Sequence, residues 1–173
     1  MCVSSFRRLA CLAVGPASPR TLGGASPNGP VWIICRMSQS LSLVCLLVRD
    51  YDEAIAFYRD AIGFELAEDT WLGADKRWVV VRPKGPGAAG LLLAKASNPE
   101  QVAVIGGQTG GRVFLFLNTD NLDRDHNLYR ARGVVFVREP VAMPYGKVAV
   151  FKDLYGNLWD LIEPSGGLAQ SAA

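Results

Sequence analysis

The run 41-LSLVCLLV-48 is almost wholly apolar and stops at Arg49-Asp50, which predicts a buried strand. After it, YDEAIAFYRDAIG places Ala54, Ile55, Phe57, Tyr58 and Ile62 at helical spacing, with Asp50 or Asp52 as the N-cap and Gly63 as the stop. FELAED, KRWVVVRP and GLLLAKA then read as three strands, with the turn cluster KGPGAAG before the last. The loop 97-SNPEQVAVIGGQTGG-111 follows, and the same order returns. RVFLFLNT is a strand, DNLDRDHNLYRARG a helix closed by Gly133, and VVFVRE, GKVAVFKD and GNLWDLIEP are three more strands.

The two copies keep a constant offset. The interval from Asp50 to Gly63 equals that from Asp120 to Gly133, residues 77–81 fall on 147–151, and Leu91-Leu92 fall on Leu161-Ile162. Several coincidences in one register imply an internal duplication of a βαβββ repeat. One repeat of this size cannot bury its own sheet face, so two must pair. The fold expected is α+β: two repeated βαβββ units forming a curved mixed sheet around a central pocket, helices outside, alternate strand residues lining the hollow.

Composition narrows this little further. The 173 residues are half hydrophobic and 20% charged, a globular mixture with room for one ordinary domain. Formal net charge is +2, but residues 1–36 hold four arginines and no acidic residue, so the rest is mildly acidic. No basic stripe suggests nucleic acid, and no apolar run is long enough to span a bilayer as a helix. Residues 1–37 are rich in Gly, Pro, Ser and Ala without a sustained period. They read as an extension outside the fold: either an over-long start with Met37 as the initiator, or a weak targeting segment. The domain is expected over 38–165, with repeats at about 40–96 and 112–164, and 166–173 as a flexible tail. Cysteine usage lacks a C-x-x-C, which fits a cytoplasmic protein, and Cys45 is expected as a small buried hydrophobe.

The repeated unit, the stretch V-R-D-Y-D-E-A-I-A-F-Y followed by G-F, and the ending D-x-x-G-N-x-W-D-L-I-E-P resemble the vicinal oxygen chelate superfamily. That family includes glyoxalase I, bleomycin- and fosfomycin-resistance proteins and extradiol dioxygenases. The resemblance implies the fold already drawn and a small-molecule pocket, with a homodimer as the expected assembly. It does not imply one reaction, because the fold hosts isomerases, transferases, dioxygenases and metal-free binding proteins.

Metal-dependent members draw ligands from the first and last strand of each repeat. By resemblance those positions fall on Leu43, on Leu92 or Leu93, on Val113 or Phe114, and on Asp160. One carboxylate with apolar partners cannot hold a catalytic divalent ion, which needs about three protein ligands. No cofactor is therefore expected, and a divalent metal only if unexpected ligands join Asp160. His126, the single histidine, lies in the second helix, away from these positions.

Asp160 and Tyr145 remain as candidate catalytic groups. Asp160 could equally be the ion-pair partner of a cation such as Arg77 or Arg112. Arg77, Trp78, Gln108, Arg112, Asn118 and Trp159 are candidate ligand contacts, offering donors and aromatic walls. Each has a plainer reading as a strand-start cation, a core aromatic or a turn neighbour. Three functions stay open: a metal-free binding protein, a lyase, isomerase or dioxygenase acting on a small carbonyl or vicinal-oxygen substrate, or a dimeric scaffold with a filled pocket. Phosphate loops and a Ser-His-Asp set are absent from the sequence.

Overall fold

The structure, a computed structural model, describes residues 39–85 and 87–166. The expected extension at 1–37 and most of the expected tail lie outside the described residues. Within them the order is β1 (Leu43–Val48), α1 (Tyr51–Ala56), β2 (Glu65–Gly73), β3 (Lys76–Arg82) and β4 (Gly90–Lys95), then α2 (Pro99–Ala103). The second repeat follows as β5 (Val113–Asn118), α3 (Leu122–Ala131), β6 (Val135–Met143), β7 (Gly146–Lys152) and β8 (Leu158–Pro164).

Each repeat makes a four-stranded mixed sheet, ordered β1-β4-β3-β2 and β5-β8-β7-β6. The α+β fold of two βαβββ repeats is thus the one the pattern predicted. The first strand runs parallel to the fourth, and the remaining pairs are antiparallel. A parallel neighbour requires a crossover, and the helix between first and second strand supplies its first leg.

Asp50 caps α1 by accepting from the backbone N–H of Asp52 and Glu53, and Asn121 caps α3 by accepting from Arg124. The equal intervals in the sequence therefore paired Asp50 with the wrong neighbour, since Asn121 and not Asp120 is the cap. The extra residue in the first repeat is absorbed by a π-helical stretch, Phe57–Ile62, which continues α1. Gly63 ends it at φ +88°, a left-handed conformation that glycine adopts without Cβ strain. A matching device anchors each helix to its sheet: Arg77 at the start of β3 pairs with Asp52, and Lys147 at the start of β7 pairs with Asp123.

The core lies on the helix-bearing faces and is shared by both repeats. Leu46, Val48, Val79, Val81, Leu91 and Leu93 come from the first sheet, and Ala149, Phe151, Trp159 and Leu161 from the second, in one cluster. Tyr58, fully buried on the π-helical stretch, reaches across: its ring centroid is 6.1 Å from Trp159 and 5.9 Å from Phe64. Phe151 stacks on the other side of the group, 5.7 Å from Trp159. Aromatic pairs at such separations add to the stabilisation that comes from area burial alone.

Candidate functional site

Strand pairing sorts the side chains into two faces. On the second sheet Phe116 is opposite Asp160, Asp160 opposite Val150, and Val150 opposite Arg138. These four make one row on the face away from the core, because register partners share a face and Trp159 and Leu161 point into the core. On the first sheet Cys45, and not the expected Leu43, which pairs with Gly90, is opposite Leu92, and Leu92 is opposite Val80, in the comparable row. The residue beside Asp160 on the first strand of its repeat is thus Phe116, not Val113, which pairs with Leu158, or Phe114, which falls in the register shift between Val113 and Leu115.

Asp160 keeps only 13% of its side-chain exposure, and its Oδ1 is buried without a hydrogen-bond partner. Arg138 Nη2 stands 4.0 Å away, within charge attraction but beyond hydrogen-bond length. Burial pushes the Asp160 carboxyl above its ordinary range, and Arg138 opposes that push. Phe116 stays 66% exposed, unusual for a large aromatic on a strand.

Two grooves run between the repeats. The larger, about 830 Å³, is walled by Val44, Phe64, Leu91, Leu115, Leu117 and Trp159. Phe116 and Asn118 on the edge strand β5 also line it, so Phe116 belongs both to the groove and to the Asp160 row. That volume falls within the range of small-molecule sites. The smaller, about 550 Å³, lies beside Arg59, Lys84, Arg124 and Arg132 and shares Asn118. Arg59 and Arg124 are already bound to Asp60, Asp120 and Asp125.

The structure distributes the sequence candidates widely. Asn118 and Trp159 both reach the larger groove. Arg77 faces the helix instead, bound to Asp52 at 2.6 Å and Asp69 at 2.5 Å, with its guanidinium over the Tyr51 ring. Trp78 lies near the β2–β3 edge and donates its indole N–H to Glu68 at 3.2 Å. Gln108 accepts from the Leu47 N–H at 2.8 Å and donates to the Cys45 carbonyl at 3.3 Å. It thereby occupies the open edge of β1 as a strand neighbour would. Arg112 is exposed in the connection to β5, with its carbonyl accepting from the Thr109 hydroxyl. Tyr145 is exposed in the β6–β7 turn, at the end of the sheet, while Asp160 pairs at mid-strand with Val150.

Cys45 is a correction: it is exposed, not buried. It sits at an alternate position on an edge strand, so its side chain takes the face opposite Leu46 and Val48. Asp153, Phe116 and Arg138 have places in the structure that the sequence does not show. Asp153 opens the D-x-x-G-N motif and is 5% exposed. Its Oδ1 accepts from the backbone N–H of Tyr155, Gly156 and Asn157, and its Oδ2 from the Tyr58 hydroxyl and the Asn157 amide. That carboxylate is fully occupied by the turn it organises.

The model of the Glyoxalase/Bleomycin resistance protein/Dioxygenase superfamily matches residues 40–161. An uncharacterised protein of Shewanella frigidimarina (strain NCIMB 400) is 57% identical over 128 residues, covering 73% of this chain and 95% of its own. Among solved structures, UcmS2 is 32% identical with a TM-score of 0.65, over 73% of this chain and 99% of that one. TnmS3, an antibiotic binding protein from Streptomyces sp. CB03234, is 32% identical with a TM-score of 0.60, over 75% and 98%.

Proposed function

Since the chain belongs to the Glyoxalase/Bleomycin resistance protein/Dioxygenase superfamily, we propose that it is a homodimer that binds a small, largely apolar molecule between its repeats without a resident metal. The observation that carries this reading is the apolar groove of about 830 Å³, which has Trp159 in its wall and Asn118 at its margin. Sites of this kind combine an apolar lining with a few placed polar groups. The similarity to an antibiotic binding protein supports a binding role over a catalytic one.

The family's divalent ion does not fit the donor set. Of Cys45, Leu92, Phe116 and Asp160, two carry ligating atoms, and these two stand on different sheets. Among the described residues no three of His, Cys, Asp or Glu stand together as a metal group. An open catalytic site requires about three protein ligands. Chemistry through such an ion is therefore not assigned to these residues.

The second copy is supported by exposed apolar strand residues. Trp71 and Leu72 on β2, and Val135, Val137, Val141 and Met143 on β6, are all at least 40% exposed. Both strands are sheet edges, which pair or aggregate when left apolar and uncovered. A thermal-shift screen of small aromatic molecules in EDTA tests the binding role. Saturable stabilisation that is lost in Phe116→Arg, a substitution at an exposed residue of the groove, is expected. Stabilisation that appears only on adding Zn²⁺, Ni²⁺, Mn²⁺ or Fe²⁺ would contradict it.

A further inference from the structure

The lining of the larger groove carries a single charged side chain among the described residues, Lys84. It lies in the turn between β3 and β4, where Gly85, Gly87, Ala88 and Ala89 make a wall of small residues. The position is a rim, because Phe64, Pro83, Lys84, Leu117 and Asn118 line both grooves. Among the other cations of the smaller groove, Arg59 is bound to Asp60, and Arg124 to Asp120 and Asp125. Lys84 and Arg132 form no ion pair with a carboxylate among the described residues. The Arg132 guanidinium donates to the Ala61 carbonyl at 3.5 Å and attracts Asp60 more weakly than Arg59 does. A local positive potential therefore stands at the margin of an apolar groove, in a domain that is mildly acidic overall.

Charge decides which ligand suits this margin. Lys84 and Arg132 together repel a cationic group, and a neutral ligand leaves both without a counter-charge. An anionic head at the rim meets them, and low-dielectric walls beside it strengthen the attraction relative to open water. Resting on the binding role above, we propose that the ligand is an apolar aromatic carboxylate. Its ring lies in the larger groove against Phe116, which is 66% exposed and so presents an accessible face. Its carboxylate stands at the rim beside Lys84, whose ammonium donates to it. Arg132, in the adjoining groove, adds to the potential without entering the apolar part.

Calorimetric titration in EDTA, at neutral pH and low salt, tests this with two probes of one shape. They are naphthalene-2-carboxylate and naphthalene-2-carboxamide, which keeps the ring and carries no charge. The wild-type chain is expected to bind the carboxylate about fivefold more tightly, the upper end of what an exposed ion pair contributes. Each probe should displace the other, and molar salt should remove the preference. Lys84→Met, which keeps the apolar stem and drops the charge, should equalise the two probes without weakening the amide, whereas Lys84→Arg should keep the preference. Lys84 is exposed in a turn, so neither substitution threatens the fold. Equal binding of the two probes by the wild type, or a preference that survives in Lys84→Met, overturns the inference while the groove reading stands. A carboxylate that does not displace the amide binds elsewhere and overturns it too. If neither probe binds, the groove reading fails and the inference with it.

Discussion

The Tyr58 hydroxyl donates to Asp153 Oδ2 at 2.8 Å, joining the π-helical stretch of the first repeat to the β7–β8 turn of the second. Both groups are buried, and Asp153 also fixes three backbone N–H groups of its turn. Burial, then the neighbouring carboxylate, hold the Tyr58 hydroxyl in its protonated, donating form. This contact welds the repeats independently of any ligand. Tyr58→Phe should leave Asp153 with its other donors and cost about 1–2 kcal/mol of unfolding free energy. Asp153→Ala should cost more, about 3 kcal/mol or above, because several buried donors lose their acceptor together. Urea denaturation of the two variants checks the order.

Asp160 predicts the pH behaviour of stability. Its folded pKa is raised above its unfolded value, so its contribution to stability is greatest below the ordinary carboxylate range and is lost as pH rises through the folded pKa. Above that folded pKa the ionised group therefore weakens the fold. Asp160→Asn should raise stability on the alkaline side of the folded pKa, and the gain should shrink as pH falls through it towards the ordinary carboxylate range. Melting temperatures across pH 3–8, on the order of the usual carboxylate window, follow the difference. A gain that is constant with pH would exclude titration of Asp160 as its cause.

Gly146 opens β7 at φ +147°, where an added Cβ would lie 2.2 Å from the Glu163 carbonyl oxygen. Neither strand can yield without losing the ladder between β7 and β8. Gly146→Ala should therefore destabilise by about 3 kcal/mol or more, through backbone strain and steric overlap. Soluble yield and thermal melting of the variant report it.

The edge residues bear on assembly. Val137→Lys with Val141→Lys places charges on β6, an exposed edge strand. Light scattering should show the proposed dimer dissociating at micromolar protein, with the monomer's far-ultraviolet spectrum kept. A dimer that persists would place its interface elsewhere.

Much of the fold was legible in the chain. Every strand and both main helices follow from apolar runs, caps and turn glycines, and the repeat was visible because its elements recur in one order. The site was less so. Alternation along β1 shows that Cys45 opposes Leu46, but not which face is covered, and that depends on contacts with distant residues. The register shift between Val113 and Leu115, and those along β6, move Phe116 and Arg138 into the Asp160 row, and no local spacing reveals them. Arg77 looked like a pocket cation because the sequence does not show that Asp52 and Asp69 hold it on the helix face. Gln108 likewise gave no sign that its amide would close the β1 edge, a contact across a long loop.

Elemental analysis of the purified, untagged protein, followed by a thermal-shift titration with Zn²⁺, Ni²⁺, Mn²⁺ and Fe²⁺, separates a metal-free binding protein from a metal enzyme. The account predicts no stoichiometric metal and no shift that depends on Asp160. One metal per chain, or a large shift that disappears in Asp160→Ala, would contradict it.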